Sequence, residues 1–413
     1  MVLHPFCFSS ILHLLKLSVY FFVIRTDSHI YLDYAATTPL DPRVAESISA
    51  TMNGIYGNAS SVHAFGRRAK VILEESRELI ARSIGAEPAE IFFTSGGTES
   101  DNHALVGSAF AQRRDQGKDH IIVSAIEHHA VLDCAEYLAT LGFRISFAPV
   151  DQNGKVIIGE LQNLITPKTA VISVMQGNNE VGTLQPIKEI SLLAKDRGII
   201  FHSDAVQTFG KVPVSVTELQ VDLLSLSAHK IYGPKGIGAI YIRKGTNIDA
   251  LLHGGAQERK NRAGTENIPL IAGFAKAVEL TEHDRQANFD HAERCASALR
   301  ARLQKKLENC ILNGDDRDSL PHILNVSIDT SQYDIEGDSL LMNMDLHGVA
   351  VSSGSACTSG SVQPSHVLRA MGRDDRSARA AIRFSFGKQT TVSDVERAGD
   401  IFCSIVHSLP KKK

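Results

Sequence analysis

The amino-acid sequence predicts an α/β protein, with a large unit built on a mainly parallel sheet and a smaller α+β unit. Two patterns support this fold class. From Ile91 to Tyr241, short apolar runs alternate with stretches of helical period, and many of the runs are apolar throughout. Strands of a parallel sheet that helices cover on both faces have this composition. After about Leu280 the alternation gives way to one long helical stretch and a few short strands.

Seven strands are predicted in the first region, with helical segments between them such as Ser100–Gln116 and Ile187–Arg197. The predicted strands are Ile91–Thr94, His120–Ser124, Arg144–Pro149, Ala170–Met175, Ile199–Asp204, Val221–Ser227 and Gly238–Ile242. Ligands of such sheets bind beyond the carboxyl ends of the strands, so polar clusters that follow strands are candidates for a site. Five clusters do so: Ser95–Thr98, Glu127–His128, Asn178–Glu180, Asp204–Gln207 and Ser227–Lys230.

The second region has a different pattern. Leu299, Leu303 and Leu307 recur at the i, i+4 and i+8 positions of a long helix. Short strands are predicted at Ile323–Ile328, Val349–Ser352 and Ala381–Ser385. We therefore expect a large domain over residues 40–280, and a small domain formed by residues 29–39 together with residues 281–413.

Residues 1–28 differ from the rest of the chain and are left unassigned. They are rich in Leu, Phe and Val, but the uncharged runs Met1 to Leu15 and Leu17 to Ile24 are both shorter than the ~20 residues that a membrane helix needs. The basic residues and the small cleavage-site residues of a signal peptide are missing. The segment is either a non-native extension, such as translation from an upstream start, or a hydrophobic anchor or partner segment. We expect no stable membrane insertion.

The charge balance and the cysteines exclude several classes of protein. Lys plus Arg is 43 and Asp plus Glu is 46, so the net charge of −3 argues against general binding of nucleic acid or anionic membranes. The six cysteines show no CxxC pair and no regular spacing, which argues against a disulfide scaffold or a structural zinc site. A reducing compartment, the cytoplasm, is the expected location.

The segment Thr94–Ser100 follows a predicted strand and opens a helix with the sequence TSGGTES. Small residues allow backbone N–H groups to approach an anion, and a helix N-terminus adds partial positive charge. A glycine turn followed by an N-cap explains the motif equally well. The segment has neither the GxxxxGK(S/T) pattern of nucleotide P-loops nor the GxGxxG pattern of dinucleotide folds.

Lys230 stands at the end of an apolar strand, before a glycine-rich turn. Partial burial lowers the pKa of a lysine and exposes a nucleophilic amine that can form an imine. Asp204 ends the preceding strand and is the natural complement, because pyridoxal-phosphate enzymes pair a Schiff-base lysine with an aspartate on the pyridine nitrogen. A purely structural Asp–Lys pair is the alternative.

His128 follows the strand His120–Ser124, where a neutral imidazole could lie on the face of a flat cofactor and move protons. The pairs His128–His129 and His202–Asp204 could also be metal ligands. Adjacent histidines on one element usually diverge, and no third ligand has suitable spacing. The sequence therefore predicts no metal site.

Cys357 lies in the segment Val351–Ser361, which is composed mostly of Ser, Gly and Thr after a predicted strand. Such a composition is typical of an exposed, mobile loop. A cysteine among small polar residues can present its thiolate to a substrate. The other five cysteines lie in apolar or helical settings, where packing explains them.

Together these motifs resemble the cysteine desulfurases of the nitrogen-fixation and iron–sulfur-cluster assembly type, in the class V group of fold-type-I pyridoxal-phosphate enzymes. The resemblance runs from the Tyr31–Pro39 segment to Arg383–Ser385. The motifs TSGGTESDN, EHHAVL, NNEVGT, HSDAVQ, SAHKIYGPKGIGA, RAGTEN and SSGSACTSG occur in the order of the family. The resemblance implies a large domain that binds pyridoxal 5'-phosphate and a small domain that carries the cysteine loop.

The resemblance also implies roles for the cofactor-binding residues. Lys230 would be the Schiff-base lysine, Asp204 would hold the pyridine nitrogen, and His128 would stack on the ring. Gln207 would hydrogen-bond the ring hydroxyl. The phosphate would be bound by Gly97, Thr98, Ser227 and His229, joined by Thr265 from the second subunit of a homodimer.

The implied reaction converts L-cysteine to L-alanine and leaves the sulfur on Cys357 as a persulfide. Asn179 and Arg383 would bind the substrate, with Arg383 gripping its carboxylate in a bidentate fork. Lys230 and His128 would carry protons. The sulfur would then pass to an acceptor protein, such as a cluster-assembly scaffold, by exchange-type attack.

Two readings compete with this one: a pyridoxal-phosphate aminotransferase or lyase in which Cys357 is incidental, and a catalytically silent sulfur-transfer scaffold. The sequence departs from the family in its apolar N-terminus, and at Ala256 and Gln257, where the family commonly has a third Gly and a His. These two positions leave local partner or subunit contacts open.

Overall fold

The computed structural model describes residues 29–308, 310–330, 333, 337–353 and 363–411. It confirms the predicted α/β fold class. A seven-stranded sheet forms the centre of the larger part, and smaller sheets form a second core. Among the described residues, no helix is long and apolar enough to cross a membrane.

The central sheet has the strand order β2-β8-β7-β6-β5-β3-β4. Its strands are β2 (Ile91–Thr94), β3 (His120–Ser124), β4 (Arg144–Ala148), β5 (Thr169–Ser173), β6 (Ile200–Asp204), β7 (Leu223–Ser227) and β8 (Gly238–Ile242). The strands from β4 to β7 pair in parallel, whereas β8 is antiparallel to both of its neighbours, β7 and β2. The carboxyl ends of β2, β3, β5, β6 and β7 therefore lie on one edge of the sheet.

Helices cover this sheet, and apolar side chains on their inner faces pack against the buried strands. They are α1 (Pro42–Gly54), α2 (Ala64–Ser83), α3 (Gly97–Asn102), α4 (Ser108–Gln116), α5 (His129–Thr140), α6 (Ile158–Leu164), α7 (Ile187–Lys195) and α8 (Val216–Leu219). One π-helical turn, His103–Gly107, joins α3 to α4, so helical backbone runs from Gly97 to Gln116. Short 3-10 turns occur at Pro88–Glu90, Ala228–Lys230 and Gln257–Lys260.

The second core is built on the antiparallel strands β9 (Cys310–Asn313), β10 (Ile323–Ile328) and β12 (Ala381–Ser385). Beside them, β1 (Ile30–Tyr31) pairs in parallel with β11 (Val349–Ala350). The remaining helices are α9 (Ile268–Lys306), α10 (Gly337–Leu346), α11 (His366–Ala370), α12 (Asp375–Arg379) and α13 (Val392–Ser408). The 39-residue helix α9 contributes side chains to both cores.

The structure differs from the sequence prediction at β9 and at Leu307. Strand β9 was not predicted, because four residues of mixed polarity give no clear period. Leu307 caps α9 instead of lying within it, and its N–H still donates to the Leu303 carbonyl. The division into domains at residue 280 stays a prediction, and α9 runs through that position.

Candidate active site

A cavity of about 490 Å³ opens at the edge where the carboxyl ends of five strands meet. The structure brings ten of the predicted site residues to its wall: Gly97, Thr98, His128, Asn179, Asp204, Gln207, Ser227, His229, Lys230 and Arg383. Nine of them end or follow strands of the central sheet, and Arg383 comes from β12 in the second core. The cavity therefore lies where the two cores meet.

The Lys230 amine occupies the inner wall of the cavity. Its Nζ donates to the carbonyl oxygens of Ala35 and Ala36 at 2.6 and 2.8 Å. Burial and, next, the nearby Arg383 charge lower the pKa of Lys230 to about 8. The negative charges of Asp204 and Asp33 act in the other direction and raise it. An appreciable fraction of this amine is neutral near neutral pH, which is the form that acts as a nucleophile or a base.

Asp204 ends β6 at the floor of the cavity and is 5% exposed. Its Oδ1 accepts from the Val206 N–H at 2.7 Å. Burial raises the pKa of Asp204 to about 6, although the Val206 N–H and the Lys230 charge favour the ionised form. A carboxyl group with this proton affinity is suited to share a proton with a nitrogen base above it.

His128 is the N-cap of α5, and its Nδ1 accepts from the Ala130 N–H at 3.1 Å. Burial and, next, the Lys230 charge lower the pKa of His128 to about 4. The ring is therefore neutral at neutral pH, and because Nδ1 is an acceptor, the proton is on Nε2. A neutral imidazole with one N–H can face a flat ring and exchange a proton with a bound molecule.

A second hollow of about 400 Å³ adjoins the cavity and shares Gly97, Thr98, Ser227 and His229 with it. A Cβ atom on Gly97 would come within 2.8 Å of Val206 Cγ2, so only glycine lets the backbone approach this closely. The Ser227 Oγ is buried and has no hydrogen-bond partner. His229 Nδ1 lies 3.2 Å from Thr37 Oγ1.

Gln207 supplies another buried polar atom without a partner. Its Nε2 donates to the Ala35 carbonyl at 2.8 Å, while its Oε1 is buried and unpaired. Buried polar atoms cost free energy unless they are paired, so Oε1 and the Ser227 hydroxyl point to a polar ligand. The cavity and the hollow together fit a planar polar ring that carries an anionic group.

Arg383 lines the cavity from β12 and is 4% exposed. Its Nη2 donates to Asp33 Oδ1 at 2.9 Å, and its Nη1 donates to the Asn179 carbonyl at 2.7 Å. Its Nε is buried without a partner. The guanidinium group is thus held in place from two sides and retains a donor for a bound carboxylate.

Two predicted site residues are not part of this wall. Thr265 is exposed and outside the residues that line the cavity of the same chain. Cys357 lies outside the described residues. On the two sides of its segment, Ser352 and His366 both line the cavity.

Sequence reasoning missed three acidic residues. Asp33 pairs with Arg383, from a position 350 residues away in the chain. Glu127, which the sequence placed only in a strand-end cluster, is fully buried, and burial raises its pKa to about 8. Asp101 is 1% exposed, and burial, with the Asp204 charge, raises its pKa well above the usual range. For these three residues, the one sequence feature that could have indicated a buried acid is the hydrophobic strand before Glu127.

The alternative metal interpretation gains no ligand set from the structure. Among the residues that the structure describes, no group of three or more His, Cys, Asp or Glu side chains is arranged to hold a metal ion. His202 is instead bonded through Nδ1 to Ser173 Oγ at 2.8 Å and through Nε2 to Ser225 Oγ at 3.0 Å.

Comparison with known proteins gives relatives that span nearly the whole chain. The cysteine desulfurase IscS of Dictyoglomus turgidum is 47% identical over 380 residues, which cover 92% of this chain and 95% of the relative. The cysteine desulfurase IscS of Methanosarcina thermophila is 48% identical over 383 residues, which cover 92% of each chain.

Solved structures give the same result. A NifS-like protein has a TM-score of 0.84 at 38% identity, covering 92% of this chain and 99% of that one. SspA in complex with cysteine has a TM-score of 0.76 at 35% identity, covering 88% and 100%. Residues 30–398 match the family model of class V aminotransferases. The chain therefore belongs to the class V aminotransferase family.

Proposed function

We propose that this protein is a pyridoxal-phosphate-dependent cysteine desulfurase that converts L-cysteine to L-alanine and transfers the sulfur to Cys357. The observation that carries the proposal is the single cavity in which Lys230, Asp204, His128 and Arg383 converge. The names of the relatives, at 47% and 48% identity over 92% of the chain, support the same activity.

The cavity fits the cofactor. Asp204 would hold the pyridine nitrogen, the unpaired Gln207 Oε1 would accept from the ring hydroxyl, and the neutral His128 ring would stack on the cofactor. The cup of Gly97, Thr98, Ser227 and His229 would hold the phosphate. When bound, pyridoxal 5'-phosphate supplies an electron sink for the carbon from which the substrate loses its proton.

Lys230 and His128 would accept and donate the protons of the reaction. The Lys230 amine, with its pKa near 8, can accept a proton at Nζ and return it at neutral pH. The Ala35 and Ala36 carbonyls fix the amine against the cavity wall. His128 Nε2–H is a second donor in the same cavity.

Arg383 and Asn179 would bind and orient the substrate. The unpaired Nε of Arg383 and its neighbouring N–H groups would receive the carboxylate of cysteine. Asp33 helps to hold the guanidinium group in position, because its Oδ1 accepts from Arg383 Nη2 at 2.9 Å. The bound substrate would then lie in the same cavity as Ser352 and His366, the lining residues on either side of the cysteine segment.

Cys357 would then take the sulfur. Its thiolate attacks the sulfur of the substrate, an S–S bond forms, and the C–S bond breaks. The electron pair of the broken bond stays with the carbon fragment, which takes up a proton and leaves as alanine. Cys357 is four residues from Ser353, and four extended residues reach about 13–14 Å, so the wall at Ser352 is within its range.

The protein would act as a homodimer in which Thr265 completes the phosphate site of the partner subunit. The exposed position of Thr265 supports this, because the residue does not line the cavity of its own chain. We further propose that the persulfide sulfur passes to an acceptor protein for iron–sulfur-cluster assembly. A cytoplasmic location is consistent with the free thiols of Cys134, Cys295, Cys310 and Cys403.

The deciding experiment compares the wild-type protein with Cys357→Ala. The variant should fold, bind pyridoxal phosphate and change its absorption spectrum when cysteine is added, but it should release no alanine catalytically. In the wild type, mass spectrometry after cysteine treatment should find an added ~32 Da that maps to Cys357. The matched control is Cys310→Ala in β9, which should retain alanine release. Full desulfuration by the Cys357 variant would instead support a lyase in which this cysteine is incidental.

Lys230→Ala tests the other half of the site. Alanine release should fall by at least ~10³-fold, because the amine that carries the proton is lost. Lys188→Ala on the exposed face of α7 is the matched control and should be as active as the wild type. Normal turnover in the Lys230 variant would overturn the assignment.

A further inference from the structure

The free edge of β2 is covered by side chains instead of a strand. In the central sheet β2 is the terminal strand and pairs only with β8, so the backbone groups of Ile91 and Phe93 point outward. Arg77 Nη1 donates to the Ile91 carbonyl at 2.7 Å, and Glu258 Oε2 accepts from the Phe93 N–H at 2.9 Å. The two side chains thus make the hydrogen bonds that a neighbouring strand would make.

Arg77 and Glu258 also bind each other. Arg77 donates from Nη1 and Nη2 to the two carboxylate oxygens of Glu258 at 2.7 and 2.8 Å. Both residues are at most 5% exposed, and the guanidinium carbon of Arg77 lies 4.9 Å from the centre of the Phe93 ring. Breaking a buried pair of this kind is strongly destabilising, so the pair anchors the backbone around Glu258 to β2.

The same row of outward groups continues into the turn after β2. Ser95 is the next position of the row, and its N–H donates to Glu99 Oε2 at 2.7 Å. Arg262 holds the other side of that carboxylate, with Nε 2.8 Å from Oε1 and Nη2 3.2 Å from Oε2. Burial favours the neutral form of Glu99, but the Arg262 and Ser95 donors outweigh it and lower its pKa.

Residues 257–264, here called the edge segment, are therefore fastened at two points. Glu258 joins them to the strand, and Arg262 joins them to the turn that the strand enters. The backbone of the segment is strained, because Glu258, Arg259 and Lys260 have φ angles of 41°, 54° and 69°. Strain of this kind persists only where surrounding contacts impose it, and it is concentrated at functional sites.

We propose that Glu99 and Arg262 are positioning residues that keep the Ser95–Thr98 turn in its phosphate-binding shape, so that docking of the edge segment and binding of a phosphate monoester strengthen each other. The proposal rests on the proposed function, which assigns Gly97 and Thr98 to the phosphate. It adds that a segment outside the cavity controls their geometry. Coupling between two binding events is reciprocal, so it can be measured from either side.

The test from the side of the cofactor uses Glu99→Gln. The amide oxygen can still accept from Ser95, but the charge that holds Arg262 is lost. The affinity of the apoprotein for pyridoxal phosphate should fall about tenfold, the effect of one charge-assisted contact. The apoprotein's thermal midpoint should change by less than about 2 °C. Arg262→Gln should give the same loss, and the double variant should be no weaker than either single variant.

The test from the side of the segment measures amide hydrogen exchange with and without pyridoxal phosphate. In the wild type, the cofactor should slow exchange in residues 91–99 and in residues 257–264. In Glu99→Gln the slowing should remain in residues 91–99 and disappear from residues 257–264. Inorganic phosphate should reproduce the effect in part, because the turn binds the phosphate group.

Arg114→Gln is the control, because it removes an arginine that pairs with Asp115 and Asp249 at the surface, away from the edge segment. It should alter neither affinity nor exchange. Unchanged cofactor affinity in Glu99→Gln, additive losses in the double variant, or equal protection of residues 257–264 in that variant would each overturn the inference. A wild-type protein that binds no pyridoxal phosphate would overturn the proposed function instead.

Discussion

The interior of the second core and the carboxyl edge of the central sheet both bury polar side chains, but the sheet edge leaves several of their polar atoms without a partner. In the second core, Asn313 Nδ2 donates to Asn325 Oδ1 and Ser327 Oγ at 2.8 and 2.7 Å. Its own oxygen accepts from Arg373 Nε at 3.0 Å. At the sheet edge, by contrast, the buried Ser227 Oγ has no partner.

Three further buried atoms at that edge are unpaired: Gln207 Oε1, Glu127 Oε2 and Asp101 Oδ1. An unpaired buried polar group costs about 1–3 kcal/mol, so the sheet edge is less stable by itself than the second core. The difference indicates which region is built for the fold and which is built for a ligand that supplies the missing partners. Three substitutions test this comparison.

The largest effect is expected for Glu127→Gln. Burial raises the pKa of Glu127 from 4.5 to about 8, although the Met175 N–H and the Ser124 hydroxyl favour the charged form. The folded protein therefore binds a proton that the unfolded chain releases, so wild-type stability is lost as the pH rises from 4.5 to 8. Glutamine cannot ionise, and the variant should gain on the wild type by up to ~1.4 kcal/mol per pH unit in that range.

Urea unfolding of the two apoproteins across this pH range measures the difference. Their free energies of unfolding should agree most closely at the acidic end and should diverge no further above the pKa of Glu127. A difference that does not vary with pH would show that Glu127 is ionised in the folded state, and the unpaired Oε2 would then need another explanation.

Asn313→Ala should have the next largest effect. It leaves polar groups of Asn325, Ser327 and Arg373 unpaired in the second core, which should lower the free energy of unfolding by about 2–4 kcal/mol. Affinity for pyridoxal phosphate should remain within about twofold of the wild type, since these groups meet no ligand. Asn163→Ala on the exposed face of α6 is the control, with a stability change below about 0.5 kcal/mol.

Ser227→Ala should have the smallest effect on stability, but it should weaken the binding of the cofactor. Removing an unpaired buried hydroxyl should leave the apoprotein unchanged or up to about 1 kcal/mol more stable. Cofactor affinity should fall about tenfold, because a phosphate contact is lost. Ser225→Ala on the same strand is the matched control: its Oγ bonds His202 Nε2 at 3.0 Å, so stability should fall while affinity stays. Equal affinity losses in both variants would end the distinction between the regions.

Most of the central sheet could be predicted from the sequence, because its strands are apolar throughout and helices separate them. The segments Ile91–Thr94, His120–Ser124 and Gly238–Ile242 have the same bounds in the structure as in the prediction. The direction of β8 was not predicted, because a strand's composition does not reveal which way it runs.

The site divides in the same way. Residues such as Lys230 and Asp204 end or follow strands whose carboxyl ends meet. The local sequence pattern and the geometry of a parallel sheet are therefore enough to predict that they lie close together. Asp33 and Glu258 could not be found in this manner. Each acts on a residue more than 160 positions away, Arg383 and Phe93 respectively, and no local period encodes such a contact.

The pairing of β1 with β11 has a consequence for biosynthesis. Ile30 is among the first described residues to leave the ribosome, but its partner Val349 follows 319 residues later. At a translation rate of about 5–20 residues per second, the first strand waits for roughly 15–65 s without its neighbour. Asp33 waits longer still for Arg383. The guanidinium group proposed to hold the substrate is therefore set in place only after all strands of the central sheet have been synthesised, so a nascent chain can fold much of that sheet before it can bind cysteine.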